Sequence, residues 1–517
     1  MRRGAGLPAL CLVLVASLLT ACSGGDGDNP VRLRVLAGPD LAVLAPLLGE
    51  LRDETGVDLR MEHRADAETR NPDRGRYDLA WLSSDSYLRL TDKNATRGLQ
   101  RTPTMTSPVV IGLKPEVARQ LRARVPGARL TWADIAGAAA TGRVRFGMAD
   151  PRHAGSGLAA LVGVATAAAG TGAALRPEDV SCDRLRGFRS GQTLTADTGP
   201  ALVDSYADHQ GEADALITYE SDLLALNASG RLDDPLEVVR PEDGMVLADF
   251  PLLLLNPAHR TAYDKVTQWL RRDSVQRQIM RHTLRRPVNT TVTRDARLRE
   301  PVGNALFYPD RPAVVETLLA DYGDPGRRTT SQVVFLLDFS GSMRGARMAA
   351  LREAFAGLSG ADPSASGKFT RFHRGERLTV VRFGGRVLGE KTVTVTGPKD
   401  LDALARGGYG DATAVWSALD HGYRTAARAR AADPGRSVSL VLMTDGENNA
   451  GLTYAEFVRR HDALPAAVRA AVPTYPVHFG EADAGALRRA AARTGGRMVE
   501  AARSSLSEAF KEIRGCH

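Results

Sequence analysis

Two uninterrupted apolar runs, "QVVFLLD" (332–338) and "SVSLVLMTDG" (437–446), each halt at an aspartate. A strand with no apolar–polar alternation suits a sheet covered by helices on both faces. Helix-forming stretches follow both runs, so this part of the chain reads as a doubly wound α/β domain. Such sheets bind ligands in the crevice beyond the carboxyl ends of their strands. Asp338 and Asp445 end their runs, so both carboxylates belong at that edge. Between them the loop "GGYGDATAVWSAL" leads into a helix and offers Thr413 there.

The residues after Asp338 indicate what the edge holds. In "FLLDFSGSMRG" two hydroxyls, Ser340 and Ser342, follow the carboxylate at alternate positions. Two carboxylates with three hydroxyls form an all-oxygen set, which suits Mg²⁺, Mn²⁺ or Ca²⁺ and suits Zn²⁺ poorly. D-x-S-x-S alone also reads as a helix-entry turn with a capping serine. Thr413 and Asp445, in order on separate loops, favour the metal. Together the five residues resemble the metal-ion-dependent adhesion site of von Willebrand factor A domains. The resemblance runs on through "TYPVHFGEADAGALRRAAARTGGRMVEA". It implies a divalent cation, Mg²⁺ first, held by the hydroxyls of Ser340, Ser342 and Thr413. Asp338 and Asp445 would act partly through water, and the last coordination position would await an Asp or Glu of a protein partner. Glu447 and Asn448 are expected to shape the rim.

Upstream, strand-like and helix-like segments alternate from Val31, as in a second α/β unit with a mainly parallel sheet. The phrases "LRVLAGPDL", "YDLAWLSSDSYL", "SPVVIGL", "FGMADPRHAGSGLAAL" and "DALITYESDLLALN" resemble, in order, those of two-lobed solute-binding proteins that serve ATP-driven importers. The resemblance implies a small solute between the lobes, near Gly38 to Asp40, Ser83, Ser84, Ser156, Gly157 and Tyr219. "AGSG" opens a helix whose free amides would suit an anion, or Ser156 simply caps that helix. Asp40 stands where relatives that bind oxyanions offer a hydroxyl, and a carboxylate there repels an oxyanion.

At the start, Arg2 and Arg3 precede an apolar stretch from Leu7 to Leu19 with the proportions of a secretory signal. It ends in Leu19-Thr20-Ala21-Cys22, which resembles the lipobox of bacterial lipoproteins. Cleavage before Cys22 and acylation of its thiol, palmitate included, would then anchor the chain to the outer face of the cell membrane. The expected organisation is a signal peptide at 1–21, a tether at 22–30, a solute-binding-like domain at 31–290, a linker at 291–330 and the von Willebrand factor A domain at 331–517. With Cys11 removed and Cys22 lipidated, Cys182 and Cys516 remain, and the sequence leaves their pairing open.

Charge argues against nucleic acid. The net +8 is modest for 517 residues, and no basic run is interleaved with aromatics. Enzyme motifs are lacking: "SASGKFT" misses the first glycine of a phosphate-binding loop, and there is no G-x-S-x-G or H-E-x-x-H. The expectation is a non-enzymatic, lipid-anchored binding or adhesion protein. The alternative is the substrate-binding component of an importer, with the second domain recruiting or regulating.

Overall fold

The computed structural model describes residues 30–92, 98–180, 184–324, 331–396, 401–480, 482–501 and 506–515. The expected signal and tether, with Cys22, Cys182 and Cys516, lie outside the described residues. Among the described residues no helix is long and apolar enough to cross a membrane.

The first domain has two lobes, each built on a mixed sheet. β1 (Val31–Ala37) and β2 (Val57–His63) run parallel, joined through the helix Ala45–Thr55, and β3 (Leu79–Trp81) pairs with the other side of β1. That helix stops at Gly56, whose φ of 69° is the left-handed cap that glycine adopts without strain. After β4 (Arg101–Pro103), β5 (Met105–Leu113) carries the chain into the second lobe. There follow β6 (Phe146–Met148), β7 (Gln192–Leu194), β8 (Ala215–Tyr219), β9 (Glu237–Val239) and β10 (Leu247–Ala248). β11 (Pro251–Leu254) returns to the first lobe, whose order is β2-β1-β3-β11-β4. The second lobe reads β10-β5-β8-β6-β7, with β9 and β12 (Arg286–Pro287) also on β5.

Alternating strands and helices predict mainly parallel sheets, and the structure departs from this at two strands. β5 is antiparallel to β8, β9, β10 and β12, and β11 is antiparallel to β3 and β4. Both lie where the chain passes between lobes. A crossover helix brings the chain back in its original direction, whereas passage from the other lobe delivers it reversed.

The second domain matches the doubly wound expectation. β13 (Ser331–Asp338), β14 (Arg377–Phe383), β15 (Val387–Thr394), β16 (Ser437–Thr444), β17 (Thr474–His478) and β18 (Val499–Glu500) form one sheet. Its order is β15-β14-β13-β16-β17-β18, with only β15 antiparallel. Every residue of β13 is buried, and alternate residues serve opposite cores. Val333, Phe335 and Leu337 pack with Phe355, Phe372 and Phe510 on one face, and Val334 and Leu336 pack with Trp416, Leu419 and Leu440 on the other. This double burial is why the stretch 333–337 carries no polar residue. Strand order reverses between β13 and β16, so Asp338 and Asp445 meet at the switch point of the sheet.

Within 291–324, the helix Pro312–Gly323 places Val314, Val315, Leu318 and Tyr322 in the core of the first domain. The domains also touch directly. The helix Ala365–Thr370 packs on the helix Trp132–Ala140, Phe369 joins the first domain's core, and Lys368 Nζ lies 2.6 Å from Asp134 Oδ1. Arg374 N donates to Ala140 O at 2.8 Å beside this contact.

Candidate metal centre and interlobe cleft

At the switch point the chain turns at once. Asp338, fully buried, accepts from Ser340 N at 2.8 Å and so fixes the turn that brings Ser340 and Ser342 back toward it. Its second oxygen accepts from Thr444 Oγ1 at 2.7 Å, which ties the end of β13 to the end of β16. Ser340 Oγ lies 3.0 Å from Ser342 Oγ, and Ser342 Oγ donates to Asp445 Oδ1 at 3.0 Å. The third loop is pinned by its backbone. Gly410 N donates to Phe339 O at 2.9 Å, Ala414 N to Gly384 O at 2.8 Å, and Thr413 N to Asn449 Oδ1 at 2.8 Å. A Cβ on Gly446 would lie 3.6 Å from Thr413 Oγ1 and 3.9 Å from Ser342 Oγ, so both hydroxyls flank one point. All five expected oxygen donors thus come from three loops at one sheet edge.

Two carboxylates stand close together at this edge. Burial, with Asp445 alongside, raises the Asp338 carboxyl above its ordinary range against the hydrogen bonds from Thr444 and Ser340. Asp445 Oδ2 pairs with Arg347, which reaches across from the helix Ala346–Ala356. The set therefore sums to one net negative charge. An octahedral Mg²⁺ with bonds of about 2.0–2.1 Å needs neighbouring oxygens about 2.9 Å apart. The two 3.0 Å separations meet that spacing. Asn448 faces elsewhere, since its Oδ1 accepts from Trp416 N at 3.3 Å at the start of the helix Val415–Ala432. Arg347, Thr444 and Asn449 escape sequence reasoning because their roles depend on facing loops about a hundred residues away or on side-chain direction.

In the first domain the two lobes meet over a buried acidic centre. Asp40 and Asp66 come from the first lobe, and Ser156, Tyr219 and Asp222 from the second. A Cβ on Gly155 would lie 2.5 Å from Ser83 Oγ, 3.0 Å from Asp66 Oδ2 and 3.2 Å from Tyr219 OH. One on Gly199 would lie 2.9 Å from Asp40 Oδ1, 3.4 Å from Ser156 Oγ and 3.8 Å from Asp222 Oδ2. Asp40, Ser83, Ser156 and Tyr219 therefore gather as the sequence suggests. Ser84 is exposed, lines the cavity beside Ser83 and accepts from Ser86 N at 3.2 Å, whereas Gly157 serves packing, since a side chain there would collide with Ala149 O. Asp66, Asp222 and Arg285 carry no sequence signal beyond ordinary loop or helix-start charge.

Burial, with Asp66 and Asp222 nearby, raises the Asp40 carboxyl well above its usual range, and Arg285 opposes this. Burial also pushes Asp66 up to about 6, and it raises Asp222. Cavities of about 330 Å³ and about 400 Å³ flank the centre, the first beside Asp66, Ser83 and Tyr219 and the second beside Asp40, Asp222 and Arg285. Elsewhere Asp150, His153 and Asp197 bring three potential ligand atoms within 4.8 Å of one another. Arg152 already holds Asp150 there, at 2.6 Å from Oδ2, so a metal ion would have to displace a guanidinium.

No curated protein matches this chain. Similar solved structures include a periplasmic thiamin binding protein, at 12% identity over 58% of this chain and 96% of that one, TM-score 0.43. Iron-bound HitA from Pseudomonas aeruginosa shares 16% identity over 57% of this chain and 100% of its own, TM-score 0.41. A ferric binding protein from Campylobacter jejuni shares 11% over 56% and 96%, TM-score 0.42. Residues 33–283 match the family of bacterial extracellular solute-binding proteins, and residues 332–513 match the von Willebrand factor type A domain. The chain thus joins an extracellular solute-binding domain to a von Willebrand factor type A domain.

Proposed function

We propose that this protein is a lipid-anchored extracytoplasmic binding protein. Its second domain holds Mg²⁺ at Asp338, Ser340, Ser342, Thr413 and Asp445 and captures a protein partner through an acidic side chain. The observation that carries the reading is convergence: two carboxylates and three hydroxyls from three loops meet at one sheet edge. The charge sum supports the acidic partner. Two carboxylates and Arg347 leave one negative charge. With a divalent ion the centre carries one positive charge, which a partner carboxylate neutralises. The ion supplies an electrophilic contact for that carboxylate, so ion and partner bind cooperatively. Arg344, stacked on Tyr409 at 4.8 Å, adds positive charge to the rim.

The first domain, in this reading, contributes a solute-responsive or solute-derived surface, and Cys22 the anchor. A role as an importer component would use the same cleft and would require a tightly held solute. The reading is tested by capturing partners from envelope extract on the immobilised full chain, in Mg²⁺ or in chelator, with Asp338→Asn as control. Capture that needs both Mg²⁺ and Asp338 supports it, and capture indifferent to both sinks it.

A further inference from the structure

The anion-binding end of the helix Gly155–Ala169 is filled from within. Asp66 Oδ2 accepts from Gly155 N at 2.6 Å, taking the position an oxyanion would use at a helix N-terminus. Arg70 acts on Asp66, and beyond it Asp40 and Asp222 face a second guanidinium, Arg285. That guanidinium is engaged elsewhere: it lies 4.0 Å above the Phe250 ring, and its Nη2 donates to the Asp40 backbone carbonyl at 2.6 Å.

A second observation, independent of the acidic count, points to a missing occupant. Ser156 is 1% exposed and its Oγ has no hydrogen-bond partner. Asp40 Oδ1 and Asp66 Oδ1 are also unpartnered, in residues 6% and 7% exposed. Each such oxygen is destabilising when left unanswered. Two of the three, Asp40 Oδ1 and Ser156 Oγ, converge with Asp222 Oδ2 on the space where Gly199 lacks a side chain.

We propose that the interlobe cleft binds a small organic cation with several N–H donors, a diamine or a guanidinium compound, between Asp40, Asp66 and Asp222. This rests on the reading of the first domain as a solute binder and specifies its ligand class. A single metal ion cannot be bound by all three carboxylates at once. Among the described residues these carboxylates do not bring three oxygens within 4.8 Å of one another, whereas a metal ion bonds at about 2.0–2.6 Å. Nitrogens spread along a carbon skeleton, each donating over about 2.7–3.2 Å, can reach all three. Asp66 lines a cavity of about 330 Å³, and Asp40 and Asp222 line a second of about 400 Å³.

The test is calorimetric titration of the full chain, in saturating Mg²⁺ so that the second domain is constant. The probes are putrescine, agmatine, sodium sulfate and 1,4-butanediol, the uncharged counterpart of putrescine. The expected result is one-to-one binding of putrescine or agmatine and none of sulfate or the diol. Asp222→Asn and Ser156→Ala, both with native melting, should each weaken that binding, the first at least tenfold. Sulfate binding without amine binding overturns the cation proposal and leaves the solute-binding reading standing. Binding of none of the four overturns the proposal, and a further screen of neutral solutes that also fails removes the solute-binding reading with it.

Discussion

Replacing Asp338 by Asn removes a charge and almost no volume. The wild-type carboxylate accepts from Ser340 N at 2.8 Å and from Thr444 Oγ1 at 2.7 Å. Asn keeps the first bond through its carbonyl. The second survives by rotation, because Thr444 Oγ1 also lies 3.3 Å from Gly446 O and can donate there while accepting from the amide. Without metal the substitution is therefore neutral or mildly stabilising, since burial and Asp445 already hold the Asp338 carboxyl above its ordinary range. With metal the sign reverses. At an ion concentration a hundred times its dissociation constant, the wild type gains about 2.7 kcal/mol. For a domain of about 180 residues this is a rise of roughly 5–10 °C in melting temperature. Asp338→Ala is a poorer probe, because it strands Ser340 N at about 1–3 kcal/mol. Scanning calorimetry of the full chain, with Mg²⁺ and with chelator, reads both signs. The reasoning fails if the Asn variant keeps the Mg²⁺ shift, or if the wild type shows none.

Arg347→Ala removes the guanidinium from Asp445, so Mg²⁺ affinity should rise roughly threefold to tenfold, a modest gain because the arginine is partly solvated. Isothermal titration checks this, and weaker binding contradicts it. Asp66 has a folded-state pKa of about 6 against 3.8, so the stability it contributes is full below about pH 4 and is lost as pH rises through 6. Denaturation of wild type minus Asp66→Asn, without ligand, should then fall by roughly 2–3 kcal/mol between pH 4 and pH 7, with Asp40, Arg70, Ser83 and Tyr219 as the facing groups. A flat difference refutes the buried charge. Glu220 is buried between Arg286, at 2.6 Å, and Arg240, at 2.8 Å. Glu220→Ala removes the carboxylate from buried Arg286, while Arg240 keeps Glu300, and should cost about 3–5 kcal/mol in the first unfolding transition; a cost under about 1 kcal/mol would contradict this.

How far the sequence discloses this molecule varies along it. The second domain is readable because its evidence is local: "VVFLL" serves two cores at once, and Asp338, Ser340 and Ser342 sit in one turn. Thr413, in a loop before a helix, and Asp445, at a strand end, add one signal each. Arg347 is invisible in this way, since only the fold carries it from its helix to Asp445. The first domain is harder, because β6 spans three residues and β5 is reversed by passage between lobes. Asp66, within "HRADAET", reads as a solvated charge run, and nothing local reveals that Gly155, 89 positions later, donates to it. The Glu220 centre likewise joins residues that the chain scatters between 220 and 286.

Crystals of the full chain grown with Mn²⁺ and measured at its absorption edge test the central claim most directly. The account predicts an anomalous peak about 2.0–2.6 Å from Ser340 Oγ and Ser342 Oγ, with Thr413, Asp338 and Asp445 around it directly or through water. No peak at that sheet edge, or one confined to Asp150, His153 and Asp197, contradicts it.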